Sequence, residues 1–135
     1  MKNDFNITPS LEDYLEAIYF LQKRNGNVRV TDVAMELDIS KPSVNKAINI
    51  LKENGLVNHE HYGLLSLTQK GAKVAADVAK RHILLRDFLR NYLGVDEKTS
   101  EREACLLEHA MSLETASKLE EFLTEKFGYK NSNVE

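Results

Sequence analysis

Residues 31–67 read TDVAMELDISKPSVNKAINILKENGLVNHEHYGLLSL, and the fold turns on this stretch. Val33, Ala34 and Leu37 fall on one side of a short helix from Thr31, the capping residue, to Leu37. Asp38-Ile39-Ser40 makes a three-residue turn. A second helix begins at Ser40, with a proline two residues on, and carries Val44, Ala47, Ile48 and Leu51 inward. Asn54-Gly55 closes it. The period then changes: Leu56-Val57 and Leu64–Leu67 flank a short hairpin with Gly63 at its bend. Two short helices across a tight turn, followed by a hairpin, spell a winged helix-turn-helix.

The flanks are helical. Thr8 is a suitable N-cap and Pro9 suits a first helical position. Leu11, Tyr14, Leu15, Ile18 and Leu21 then form an apolar stripe on a helix from Ser10 to Lys23. Beyond the hairpin, Thr68 caps a long helix over 69–92. A fifth helix covers 97–111, with Ala104, Leu107 and Met111 as its apolar line. Ser112 caps a sixth over 113–127, with Ala116, Leu119, Phe122 and Leu123 on one side. The polar tail from Gly128 onward is expected to fray. The fold class is therefore mainly α with a small β-hairpin wing.

An apolar content of 42% and a charged content of 29% describe an ordinary globular chain of 135 residues. No segment approaches the ~20 apolar residues of a membrane span. The N-terminus MKNDFNITPS has no apolar core of a signal peptide. A single cysteine suits a reducing cytoplasm, so the expectation is a cytoplasmic protein without membrane partners. There is no H-E-x-x-H, no glycine-rich phosphate loop and no evident triad, so an enzyme is not expected.

The net charge of −3 is unusual for a DNA binder, but its distribution matters more. Residues 40–52 hold Lys41, Lys46 and Lys52 and no acid. The second helix of such a motif enters the major groove. That puts Lys41, Pro42, Ser43, Asn45 and Lys46 nearest the base edges of double-stranded DNA. Asn suits adenine, Lys suits guanine, and the Pro42 ring suits a thymine methyl. Lys41, Lys46 and Lys52 are equally suited to phosphates. In the wing, His59, His61 and Tyr62 sit where backbone or minor groove would be met. One module is a small footprint, so specific binding needs a dimer reading half-sites about one turn, ~34 Å, or a multiple of it apart. Helix-turn-helix shapes also serve as protein-interaction modules.

Ligand-type residues recur at helical spacing in three places. Asp13 and Glu16 stand at i and i+3, opposite the first helix's apolar stripe. Cys105, Glu108 and His109 stand at i, i+3 and i+4 on the fifth helix. His82 lies on the packed side of the fourth. Singly, each has an ordinary explanation: a solvated acidic face, a satisfied core histidine, a small buried thiol. The triplet Cys-x-x-Glu-His is more pointed, because thiolate, carboxylate and imidazole converge on one face.

These residues, with SLEDYLEAIYFL, VTDVAMELDISKPSVNKAINILKENGLV, LLSLTQKG, RHILLRDFL and EACLLEHAMS, resemble the diphtheria toxin repressor family. That family includes iron-dependent repressors and manganese transport regulators. The resemblance runs from Thr8 to about Phe127. It implies a winged-helix DNA-binding domain, here 1–70, and a helical metal-binding and dimerisation domain, here 71–135. It also implies a homodimer through the C-terminal helices that binds operators of metal-uptake genes when loaded with Mn2+ or Fe2+. The chain ends too early for the SH3-like third domain of many iron-type members. The ligands implied are Asp13, Glu16, His82, Cys105, Glu108 and His109. Asp13 and Glu16 match the manganese-type acid pair, whereas Cys105 matches the iron-type cysteine. The carboxylates suit a hard cation and the thiolate a softer one, with Co2+ or Zn2+ as further occupants in vitro. Glu101 and Arg86 stand where the iron type has histidine and glutamate of an ancillary site, which argues against that site here.

The expected mechanism is corepression. Metal on ligands from the first, fourth and fifth helices favours the DNA-binding arrangement through its differential affinity for that state. Two alternatives stay open: a metal-independent winged-helix regulator responding to an organic ligand, and one responding to oxidation of Cys105. For the latter, Glu101, Glu103 and Glu108 nearby would raise the thiol pKa rather than lower it.

Overall fold

The computed structural model describes residues 9–60 and 63–131, with the side chain of Pro9 excepted. Among them are six α-helices and a three-stranded antiparallel sheet. The chain divides into two compact units, which meet within α4 after Ala76.

The first unit contains α1 (Pro9–Asn25), β1 (Val28–Arg29), α2 (Val30–Leu37), α3 (Lys41–Glu53), β2 (Val57–His59), β3 (Leu64–Leu67) and the start of α4 (Gln69–Asp87). The Ser40 hydroxyl caps α3 by accepting from the Ser43 N–H at 3.3 Å. Val44, Ala47, Ile48 and Leu51 are buried on one stripe and meet Leu15, Ile18, Val33, Leu56 and Leu65 in a common core. Burying an aliphatic side chain of this size contributes about 1.5–3 kcal/mol, so the stripe and its partners hold α3 in place. The tight turn depends on Asp38, which adopts a left-handed conformation (φ 56°) that aspartate tolerates.

Two local expectations are corrected here. Thr31 lies inside α2; Arg29 is the N-cap, and the Asp32 carboxylate accepts its backbone N–H at 2.8 Å. The helix starts one residue early because that acid already satisfies the chain before it. The hairpin also gains a third strand: Val28 pairs with Leu65 and Arg29 with Leu64, giving the order β1-β3-β2. Two residues are too few to show a period in the sequence.

The second unit holds the rest of α4, its π-helical continuation Phe88–Tyr92, α5 (Glu97–Leu107) and α6 (Leu113–Phe127). Asp96 and Ser112 cap α5 and α6 through their side chains. Leu84, Ala116, Leu123 and Tyr129 form the core, with Phe88, Tyr92, Met111 and Leu119 against it. The fifth helix stops at Leu107, not at Met111; Glu108 to Ala110 form a turn, in which the Ala110 and Met111 N–H groups both donate to the Leu107 carbonyl. The sidedness of this segment also differs from the expectation. Leu107 is 41% exposed while Glu108 is wholly buried. Phe122, expected on the inward side of α6, is half exposed. The tail is tied down as far as Asn131. Tyr129 is buried and its hydroxyl donates to Asp87 Oδ2 at 2.8 Å, and Asn131 Nδ2 donates to the Lys80 carbonyl at 3.2 Å. A buried aromatic ring with a charged acceptor outweighs the polar composition around it.

Candidate metal centre

In the second unit, α4 brings His82 to the packed side and the end of α5 brings Cys105 and Glu108 towards it. His82, Cys105 and Glu108 each offer a ligand atom, and these lie within 4.8 Å of one another. Donors at about 2.0–2.3 Å from a first-row cation stand at most about 4.6 Å apart, so the cluster is close to coordinating dimensions.

His82 is buried between two carboxylates. Its Nδ1 is 2.7 Å from Glu108 Oε1 and its Nε2 is 2.6 Å from Glu101 Oε2. Burial alone would lower the imidazole pKa. Hydrogen bonding and charge from Glu108, then from Glu101, outweigh that and hold it above its ordinary value. Arg81 Nε donates to the Glu108 carbonyl at 3.1 Å and fixes the turn that carries the carboxylate.

The fit to a cation rests on Glu108. Its Oε2 is buried and has no hydrogen bond among the described residues, and His109 Nε2 stands 3.5 Å away, within ion-pair range only. A buried carboxylate oxygen without a donor is costly, by about 1–3 kcal/mol or more for a charged group. A cation would satisfy it. Carboxylate, imidazole and thiol are the donor types that first-row divalent ions take.

The remaining sequence-derived ligands have these places. His109 follows Glu108 in the turn and is partly buried. Asp13 and Glu16 are three residues apart on α1 of the first unit, Asp13 partly buried and Glu16 buried. Arg86 is occupied by Asp87, with Nη2 3.0 Å and Nε 3.2 Å from its Oδ1. The sequence reading missed the contact of Glu101 with His82. A signal existed: Glu101, Cys105 and Glu108 fall at i, i+4 and i+7, one face of a helix.

On α3, Lys41, Pro42, Ser43, Asn45, Lys46 and Lys52 are all exposed, on the side away from Val44, Ala47, Ile48 and Leu51. The Ser43 hydroxyl accepts from Ser40 Oγ at 2.9 Å, so the cap sets its orientation. Asn49 is exposed on the same helix. His61 lies outside the described residues, as does Tyr62. The hairpin bend is closed by the Gly63 N–H donating to the Glu60 carbonyl at 2.9 Å.

Residues 6–65 match the family model described as the N-terminal DNA-binding domain of the iron-dependent repressors. Residues 68–126 match the one described as their metal-binding and dimerisation domain. The chain belongs to the iron-dependent repressor family. An HTH-type transcriptional regulator of Methanocaldococcus jannaschii is 40% identical over 122 residues, 90% of this chain and 97% of that protein. The transcriptional regulator MntR of Lysinibacillus sphaericus is 40% identical over 105 residues, 78% of this chain and 75% of that protein. Among solved structures, the manganese regulator SloR is 31% identical with a TM-score of 0.77, covering 87% of this chain and 55% of that one. A manganese-dependent transcriptional repressor in complex with manganese is 32% identical with a TM-score of 0.77, covering 84% of this chain and 52% of that one. The chain thus spans about half the length of these solved repressors. The helices and sheet are accordingly the DNA-binding winged helix and the helical metal-binding and dimerisation domain of this family. Among the described residues no helix is long and apolar enough to cross a membrane.

Proposed function

We propose that this chain is a repressor that binds operator DNA as a homodimer when loaded with Mn2+ or Fe2+, and so controls metal-uptake genes in the cytoplasm. The observation that carries the reading is the cluster of buried His82 and Glu108 with the partly buried Cys105, in which one Glu108 oxygen has no hydrogen bond among the described residues, inside a domain whose family description is metal binding and dimerisation. The MntR and SloR relatives and the manganese-bound repressor support a manganese-type assignment. Cys105 admits a softer ion as well.

His109 joins this donor set as the residue next to Glu108. For Asp13 and Glu16 the support is the sequence: an acid pair at i and i+3 on α1 where manganese-type members carry theirs. A bound divalent ion supplies positive charge and a fixed coordination geometry. The chain's own residues do the rest. Glu108 carries an unneutralised carboxylate without metal, and a bound divalent ion favours the state able to bind DNA through its differential affinity for that state. Lys41, Pro42, Ser43, Asn45 and Lys46 then meet base edges, with Lys52 and the wing residue His61 on the backbone. Residues 1–70 read DNA and residues 71–135 hold metal and partner. Leu106, Leu107, Leu113, Phe122 and Phe127 are exposed in the second unit, and an apolar surface of this kind suits self-association.

The test is genomic selection. Chelator-stripped protein is mixed with sheared genomic DNA with and without Mn2+ or Fe2+, and the retained fragments are sequenced. Fragments upstream of metal-transport genes should be retained only with metal. Equal retention in chelator would refute the reading.

A further inference from the structure

His82 touches two carboxylates, and they are not equivalent. Glu108, at Nδ1, is wholly buried and belongs to the cluster with Cys105. Glu101, at Nε2, has a side chain 55% exposed and lies outside that cluster. An imidazole binds a metal through an unprotonated nitrogen, and the partner of its other nitrogen decides which one that is.

We infer that Glu101 is a positioning residue of the metal centre: it accepts the Nε2–H hydrogen of His82 and leaves Nδ1, the nitrogen on the Glu108 side, to offer its lone pair to a metal. The inference rests on the metal-binding reading above. It follows from the placement of α5 beside α4. Glu101, Cys105 and Glu108 follow at i, i+4 and i+7 along α5 and its C-cap, so one element supplies two donors and, one turn before the thiol, the group that orients the third. The two contacts fix the ring's rotation, because both nitrogens are engaged at under 3 Å, and once a metal takes Nδ1 the hydrogen on Nε2 stays with Glu101. A carboxylate at Nε2 also makes the ring a more basic ligand.

The experiment uses the full chain with Zn2+ as a diamagnetic probe. Long-range proton–nitrogen correlation spectra report which ring nitrogen of His82 carries hydrogen and which carries metal. Competition against a chromophoric chelator reports affinity. The wild-type protein should show Nε2–H and metal on Nδ1. Glu101→Ala should weaken Zn2+ binding by about 10–100-fold and lose the single-tautomer pattern. Glu101→Gln, whose amide oxygen still accepts from Nε2–H, should recover the tautomer and most of the affinity. A purely structural role for residue 101 would not move the ring-nitrogen pattern or be rescued in this way. Metal on Nε2 in the wild type overturns the inference. So does Glu101→Ala binding as tightly as wild type while Glu108→Ala is weakened. If Glu108→Ala also binds like wild type and His82 does not respond to Zn2+, the metal reading itself fails and the role of Glu101 with it.

Discussion

Replacing Gly71 by alanine should destabilise the winged helix, although alanine is the better helix former. Gly71 lies in the first turn of α4 against the backbone of Leu56, where β2 is about to begin. A Cβ at position 71 would lie 1.8 Å from the Leu56 carbonyl oxygen and 2.8 Å from its carbonyl carbon. These are backbone atoms, so no side chain can swing aside, and helix and strand must part by more than an ångström. The same junction is held by Thr68, whose N–H donates to the Leu56 carbonyl at 3.1 Å and whose hydroxyl donates to the Gly55 carbonyl at 2.6 Å. Parting the segments puts both bonds at risk. Overpacking costs about 1–3 kcal/mol, the two bonds about 1 kcal/mol each, and the helical gain from alanine offsets about 1 kcal/mol. The net loss should be about 2–4 kcal/mol. The chain has no tryptophan, so urea unfolding is followed by far-UV circular dichroism. A lower midpoint with an unchanged slope is the expected result. A midpoint equal to or above wild type would refute the close approach of Leu56 to Gly71.

Other outcomes follow from the same geometry. Tyr129→Phe leaves Asp87 Oδ2 without its hydroxyl donor and should cost about 1.5–3 kcal/mol, read by urea unfolding; no change would mean that the hydroxyl contact contributes nothing. Asp96 caps α5, and its carboxyl is held below its ordinary pKa chiefly by the Thr99 N–H. A depressed carboxyl contributes stability above its unfolded pKa of about 3.9 and loses it as pH falls through the folded value, so Asp96→Asn should flatten the acid limb of a melting-temperature profile below about pH 4. Lys46→Ala should lower the salt slope of operator binding by about 1 if Lys46 meets a phosphate, whereas Asn45→Ala should cost about 1–3 kcal/mol on the cognate sequence only.

The first unit was readable because its signals are local. Ser40 and Pro42 mark the start of α3, Val44, Ala47, Ile48 and Leu51 give its buried face, and Gly63 marks the bend of the wing. β1 was not readable, since Val28 and Arg29 become a strand only by pairing with Leu65 and Leu64. In the second unit, spacing drew attention to Cys105, Glu108 and His109, but helical periodicity continued α5 to Met111. The helix ends at Leu107, and Glu108 is buried while Leu107 is exposed. Spacing marks the shared face of Glu101, Cys105 and Glu108 but not that it packs on His82, because that contact is 26 residues distant in the chain. The burial of Tyr129 was hidden for the same reason, as its partner Asp87 lies 42 residues away.

The central claim is that metal held by Glu108 and its neighbours controls DNA binding. The most direct measurement is fluorescence anisotropy on an operator fragment at one fixed salt concentration, titrating Mn2+, and Fe2+ anaerobically, into chelator-stripped wild type and Glu108→Ala. The account expects strong tightening with metal in the wild type and none in the variant. Equal affinity of the wild type with and without metal would contradict it.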